Sequence, residues 1–167
     1  MTQVRGELEP AESPAPPPSW NGVDPMASAH DVARYILERA GQMSAMKLQK
    51  LVYYSQAWHL VWRSRPLFPE AVEAWAKGPV VRELYNVHRG YFDVAGWPQG
   101  SSGALAADEK DSIDRVLSFY GGRDADWLSE LTHRERPWKQ ARAGVSDGAR
   151  SSAEIDPEAM REYYASL

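Results

Sequence analysis

Four histidines, at positions 30, 59, 88 and 133, are the side chains best suited to proton transfer or metal ligation in a 167-residue chain without cysteine. The absence of cysteine removes thiol nucleophiles, disulfide frameworks and thiolate zinc sites together. His30-Asp31, placed where a helix should begin, has the form of a metal-dependent phosphohydrolase pair. Such sites need a further histidine upstream, and none precedes His30. Nor do the four histidines show the HxxxH or HExxH spacing that sets two ligands on one helical face. A helix-start aspartate beside a surface histidine accounts for the pair, which leaves a metal-dependent hydrolase as the remote reading. His133, in Leu131-Thr132-His133-Arg134-Glu135-Arg136-Pro137-Trp138, stands two residues from a glutamate that could exchange a proton with it. No GxSxG nucleophile accompanies them, so His133 is read as part of a polar hinge between two helices.

The remaining candidates suit binding better than catalysis. Gly78-Pro79 has too few glycines for a phosphate loop. Lys47 and Lys50, one helical turn apart, could meet acidic groups of a partner; solvated lysines flanking a buried face are the plainer reading. Seven tryptophans and eight tyrosines exceed ordinary usage. Trp58, Trp62, Trp75, Tyr85 and Trp138 should mostly pack in the core, with one or two surfacing as interface anchors. The net charge of −4 divides into −3 over residues 1–25, where Arg5 faces Glu7, Glu9, Glu12 and Asp24, and −1 over the rest. A chain that neutralises phosphates would carry a basic excess, so no nucleic acid is expected.

Helical elements must position these groups. Ser28 caps a first helix, with Asp31 as its capping-box partner and Gly41 as its stop. Ser44 caps a second, in which Leu48, Leu51, Val52, Ser55, Trp58 and Trp62 form one face and Tyr53, Ala57, Leu60 and Val61 another. A helix apolar over so much of its girth is central; Lys47, Lys50 and Gln56 are its polar exceptions. After the Pro66-Leu67-Phe68-Pro69 turn, residues 71–75 are either extended or a helical turn. Gly78-Pro79 should open a helix with proline at its first position, closed by Gly90. Residues 96–104 read as a loop. Asp108 should cap a fourth helix ending at Gly121-Gly122, Asp124 a fifth and Pro137 a sixth. Asp156-Pro157 opens a last helix over 157–167, with Ile155 and Met160 as its staple. No stretch alternates with period two. The expected class is all-α: six to seven short helices around the central helix 44–62, with one short extended segment near 70–76.

Residues 1–25 hold six prolines and only Trp20 as a large aromatic, a composition that cannot offset the entropy of ordering. They are expected to be a disordered leader, residues 26–167 a helical domain, and Met26 an alternative translation start. With no apolar run long enough to cross a bilayer and no secretory signal pattern, a cytoplasmic protein is expected.

Three strings, taken in order, resemble the Panacea domain, the family of SocA-like antitoxins and related phage-associated proteins. They are Lys47-Leu48-Gln49-Lys50-Leu51-Val52-Tyr53-Tyr54, then Glu73-Ala74-Trp75-Ala76-Lys77-Gly78-Pro79-Val80-Val81 with Leu84-Tyr85, then Leu131-Thr132-His133 with Pro137-Trp138. The resemblance covers roughly residues 28–142. It implies an antitoxin that neutralises a co-encoded toxin by direct binding, without enzymatic activity, cofactor or metal, in a setting such as phage defence. Some members resemble adaptors that deliver the toxin to a Clp-type protease, which is the alternative. The family form commonly has an aromatic where this chain has Ala76. On this reading Lys47, Lys50, Glu73, Trp75, Lys77, Glu83, Tyr85, His133 and Trp138 are candidate partner contacts. A toxin acting on nucleotides or RNA would present a basic site, to which Glu70, Glu73, Glu83 and Asp93 could be complementary.

Overall fold

Short polar side chains start most of the helices, and where they do the sequence rules hold. The computed structural model describes residues 26–167; the expected leader lies outside the described residues. Helix α1 (Ala29–Ala40) begins in a complete capping box: Asp31 N–H donates to Ser28 Oγ at 3.2 Å and Ser28 N–H to Asp31 Oδ2 at 2.7 Å. Gly41 ends it at φ +84°. Strand β1 (Met43–Ser44) leads into α2 (Ala45–Arg63), whose first turn is held by Lys47 N–H donating to Ser44 Oγ at 3.1 Å. Asp124 caps α5 (Ala125–Arg134) and Asp156 caps α7 (Pro157–Ala165) through their carboxylates. Between those two lies α6 (Arg136–Ala141), with proline in its first turn.

Two small antiparallel sheets join the helices. Strand β2 (Glu73–Trp75) pairs with β3 (Gly78–Val80) in a hairpin, in the register Glu73 with Val80, Ala74 with Pro79 and Trp75 with Gly78. Helix α3 (Arg82–His88) follows, and β4 (Asp93–Val94) returns to pair with β1. After a 3-10 turn at Ser102–Ala104 comes α4 (Ala107–Tyr120). Seven α-helices are thus present among the described residues, and the fold is predominantly helical as expected. The extended segment near 70–76 is β2.

Helix α2 is central. It packs against α1, α4, α5 and α7, and Leu48, Leu51, Val52, Tyr54 and Ala57 are fully buried. The leucines and valine each gain roughly 1.5–3 kcal/mol on burial, so this one helix organises much of the core. Its polar residues are not solvated exceptions. Gln56 Oε1 accepts from Leu67 N–H at 2.6 Å and its amide donates to the Phe68 carbonyl at 2.8 Å, which fixes the turn after α2. Gln49 does the same for the chain after β3: its Oε1 accepts from Val81 N–H at 2.9 Å and its Nε2 donates to the Val81 carbonyl at 3.2 Å.

Three expectations fail locally. Gly78-Pro79 does not open a helix but forms β3, and helix geometry starts only at Arg82. Gly78 has φ +124°, and Val81 rather than Gly78 is the N-cap: its carbonyl accepts from Tyr85 N–H at 3.1 Å while Gln49 takes its N–H. Proline, which lacks an N–H, contributes only a carbonyl here. Asp108 is not the cap of α4: Ala106 precedes the helix, and its N–H donates to Glu109 Oε1 at 2.7 Å. Asp108 instead pairs with Arg65 at 2.9 Å. The third failure is Lys50, which is fully buried.

Candidate functional site

The three sequence strings meet at the β2–β3 hairpin. From α2, Lys50 reaches under β3 and its Nζ donates to the Pro79 carbonyl at 3.3 Å. Gly78 is required there, because a Cβ at that position would lie 2.4 Å from Lys50 Cε. From α5 and α6, Ser129 Oγ donates to the Lys77 carbonyl at 2.5 Å and Trp138 Nε1 to the Trp75 carbonyl at 2.9 Å. Arg142, buried, donates to the Ala74 carbonyl at 3.0 Å while its guanidinium lies 5.2 Å from the Trp138 ring centre. On its other side β2 meets the segment before α7: Ala74 N–H donates to the Ala153 carbonyl and Ile155 N–H to the Val72 carbonyl, each at 2.8 Å. The hairpin is held from four directions, so its outward side chains sit on a rigid platform.

Those outward side chains form a small polar-aromatic face. Glu73 accepts from Arg82 Nε at 3.1 Å through Oε2 and from Arg82 Nη2 at 2.8 Å through Oε1, and Trp75 Nε1 also donates to Oε1 at 2.8 Å. The Arg82 guanidinium stands 5.3 Å from the Trp75 ring centre, and Tyr85 meets Trp75 edge-on at 4.8 Å. Partial burial pushes the Glu73 carboxyl up, but the hydrogen bonds from Arg82 and Trp75 outweigh it and hold its pKa below the ordinary value. Lys77, at the tip of the turn, is exposed, as is Glu83 in the first turn of α3.

Behind this face lies a cluster of bases. Burial lowers the Lys50 pKa to about 7. His133 stacks on Trp138 at 4.1 Å, and its Nε2 is buried without a partner among the described residues. Burial and the neighbouring Lys50 and Arg142 hold its pKa below the ordinary value, against smaller opposing effects of the Lys77 backbone and Asp147. Below them Glu135 accepts from the hydroxyls of Tyr54 and Tyr164 at 2.7 Å each, and burial raises its pKa. That carboxylate ties the α5–α6 junction to α2 and α7.

Of the nine candidate contacts, the structure brings eight to this region. Glu73, Trp75, Lys77, Glu83 and Tyr85 lie on or beside the outer face, and His133 is half-buried beneath it. Two of the eight are corrected. Lys50 is wholly inside and Trp138 is 8% exposed with its indole N–H already engaged, so neither presents a surface to a partner. Lys47 lies apart: its Nζ donates to the Gly121 carbonyl at 2.7 Å at the end of α4. Arg82, Arg142 and Gln49 complete the site and escaped the sequence reading. Arg82 was hidden because the hairpin register, which sets it beside Glu73, was itself misread as a helix start. Large exposed aromatics, Tyr91, Phe92 and Phe119, were also passed over. The Phe92 carbonyl accepts from Ala45 N–H, so that segment borders the first turn of α2, to which Gly121 is also tied through Lys47.

His30 and Asp31 have structural partners: Trp97 Nε1 donates to His30 Nδ1 at 3.1 Å, and Asp31 receives the N–H groups of Ser28 and Ser101. Among the described residues no group of three or more His, Asp or Glu is placed to hold a metal ion, and no helix is long and apolar enough to cross a membrane.

Compared with known families, residues 48–139 match the model of the antitoxin SocA-like Panacea domain. No curated protein and no solved structure matches the chain. The matched span runs from the start of the buried face of α2 to α6, and so contains nearly every residue that builds the hairpin site.

Proposed function

The chain belongs to the SocA-like antitoxin family with a Panacea domain, and on that premise we propose that it neutralises a co-encoded toxin by binding it directly, with no catalysis of its own. The observation that carries the reading is the match over 48–139, the segment that assembles the rigid hairpin platform and its outer face of Glu73, Trp75, Lys77 and Tyr85. A binder of this kind needs a preorganised surface, because ordering a loop on contact subtracts from affinity. Clamping by Lys50, Ser129, Trp138 and Arg142 supplies that order in advance. A toxin interface of ordinary size buries about 1,200–2,000 Å² in total, which the hairpin face with the adjoining α3 could anchor but not fill.

The test is growth rescue. The neighbouring open reading frame, expressed alone, should arrest growth, and co-expression of this chain should restore it with the two proteins co-purifying. Lys77→Glu and Tyr85→Ala should weaken rescue, whereas Phe92→Ser, on the far segment, should not. Rescue lost in Phe92→Ser but kept in both hairpin variants would move the binding site. Rescue accompanied by a shortened toxin half-life that depends on a Clp-type protease would replace steric neutralisation with delivery.

A further inference from the structure

We infer that Glu73, Trp75 and Tyr85 form a cradle for a partner's arginine side chain, which Arg82 occupies in the free chain. The argument rests on the geometry of the present occupant. Arg82 bridges both carboxylate oxygens of Glu73 with two different nitrogens, at 3.1 and 2.8 Å, while its planar group lies over Trp75 at 5.3 Å. This is the fork-and-stack arrangement that suits guanidinium specifically; a lysine ammonium can satisfy one oxygen but neither bridge the pair nor stack.

The receiving side is built, and its occupant is not. The side chain of Glu73 is 13% exposed and is oriented by Trp75 Nε1, whereas that of Arg82 is 48% exposed. Tyr85, edge-on to Trp75, fixes the plane of the indole. The carboxylate and the aromatic wall therefore stay in place if Arg82 swings out, and an exposed ion pair resists such displacement only weakly. A partner's guanidinium arriving there would be desolvated as the interface closes, which strengthens the same contacts. Lys77, next but one to Trp75, and Glu83, next to Arg82, are both exposed.

Identifying the partner as a toxin rests on the proposed function; the cradle itself does not, and it can be tested without the toxin. The probe is a blocked, glycine-flanked pentapeptide with one central arginine, titrated into the full chain while the Trp75 indole N–H is followed by NMR. Arg82→Ala vacates the cradle and should bind the peptide up to about fivefold more tightly than the wild type, the range expected for losing an exposed competitor. The lysine version of the peptide should bind more weakly than the arginine version. Glu73→Gln added to Arg82→Ala should abolish the shift while leaving the melting curve near that of the parent. No saturable shift in Arg82→Ala, or equal shifts with the arginine and lysine peptides, would overturn the inference. Peptide binding without growth rescue would leave the cradle standing and refute the antitoxin reading.

Discussion

Replacing Lys50 by methionine should stabilise the protein, and by an amount that depends on pH. Lys50 is fully buried, and its Nζ finds one acceptor, the Pro79 carbonyl at 3.3 Å. The titratable groups coupled to it from the surrounding elements are themselves bases: His133 from α5 and His88 from α3. Burial lowers its pKa from 10.5 to about 7. At about 1.36 kcal/mol per unit, keeping the amine charged in the fold costs about 5 kcal/mol relative to the unfolded chain. Since the depressed group is a base, the unfolded chain binds the extra proton between pH about 7 and 10.5, and stability rises with pH across that window. Below about pH 7 both states are protonated and the full cost is present; above 10.5 it has gone. Methionine has a similar unbranched shape and no charge, but it leaves the Pro79 carbonyl without its donor, a loss of about 1–3 kcal/mol. The net effect near pH 7 is a gain of about 2–4 kcal/mol, shrinking by up to about 1.36 kcal/mol per pH unit and reversing sign between about pH 8.5 and 10. Urea unfolding of wild type and Lys50→Met from pH 6.5 to 10 measures this directly, since other titrating groups cancel in the difference. A difference that is flat across the window, or destabilisation by methionine at pH 7, would refute the argument.

The other predictions use the same chemistry. Gly78→Ala combines φ +124° with a Cβ 2.4 Å from Lys50 Cε, so it should cost at least about 2 kcal/mol in urea melts and weaken growth rescue. Glu135→Ala leaves the Tyr54 and Tyr164 hydroxyls without their acceptor; a loss of about 2–4 kcal/mol is expected, with hydrogen exchange faster over Pro157–Ala165. The raised pKa of Glu135 means that the folded state holds its proton more tightly, so its contribution falls as pH rises through its folded pKa; Glu135→Gln should flatten that limb. His59, whose Nδ1 meets Ser112 Oγ at 2.8 Å, has its pKa lowered by burial to about 4. Its ring Cε1–H should therefore titrate near pH 4 by NMR, and its share of the stability should be lost as pH falls from about 6.5 to about 4.

Local chemistry in the sequence was enough wherever a few neighbouring residues settle the backbone. Ser28, Ser44, Asp124 and Asp156 satisfy the N–H groups of the turn that follows them, so these helix starts were legible. Gly41 and Gly121 stop α1 and α4 where expected. The all-round apolar pattern of residues 48–60 identified the central helix for the same reason, since only burial on every side suits it. What required the tertiary structure was each group whose partner lies far along the chain. Gly78-Pro79 looks like a helix start until pairing with Ala74 and Trp75 holds both residues in β3 and delays the helix to Arg82. Asp108 looks like a cap until Arg65 draws it away and Glu109 serves instead. Lys50 looks solvated because its spacing says nothing of the hairpin that covers it. The strings around residues 47, 73 and 131 converge on one hairpin, but did not show that Lys50 and Trp138 brace it from within while Glu73, Trp75 and Tyr85 face outward. Periodicity reports which side of an element is apolar; only the packing of hairpin against helix decides which polar group is sealed in and which remains free to meet a partner.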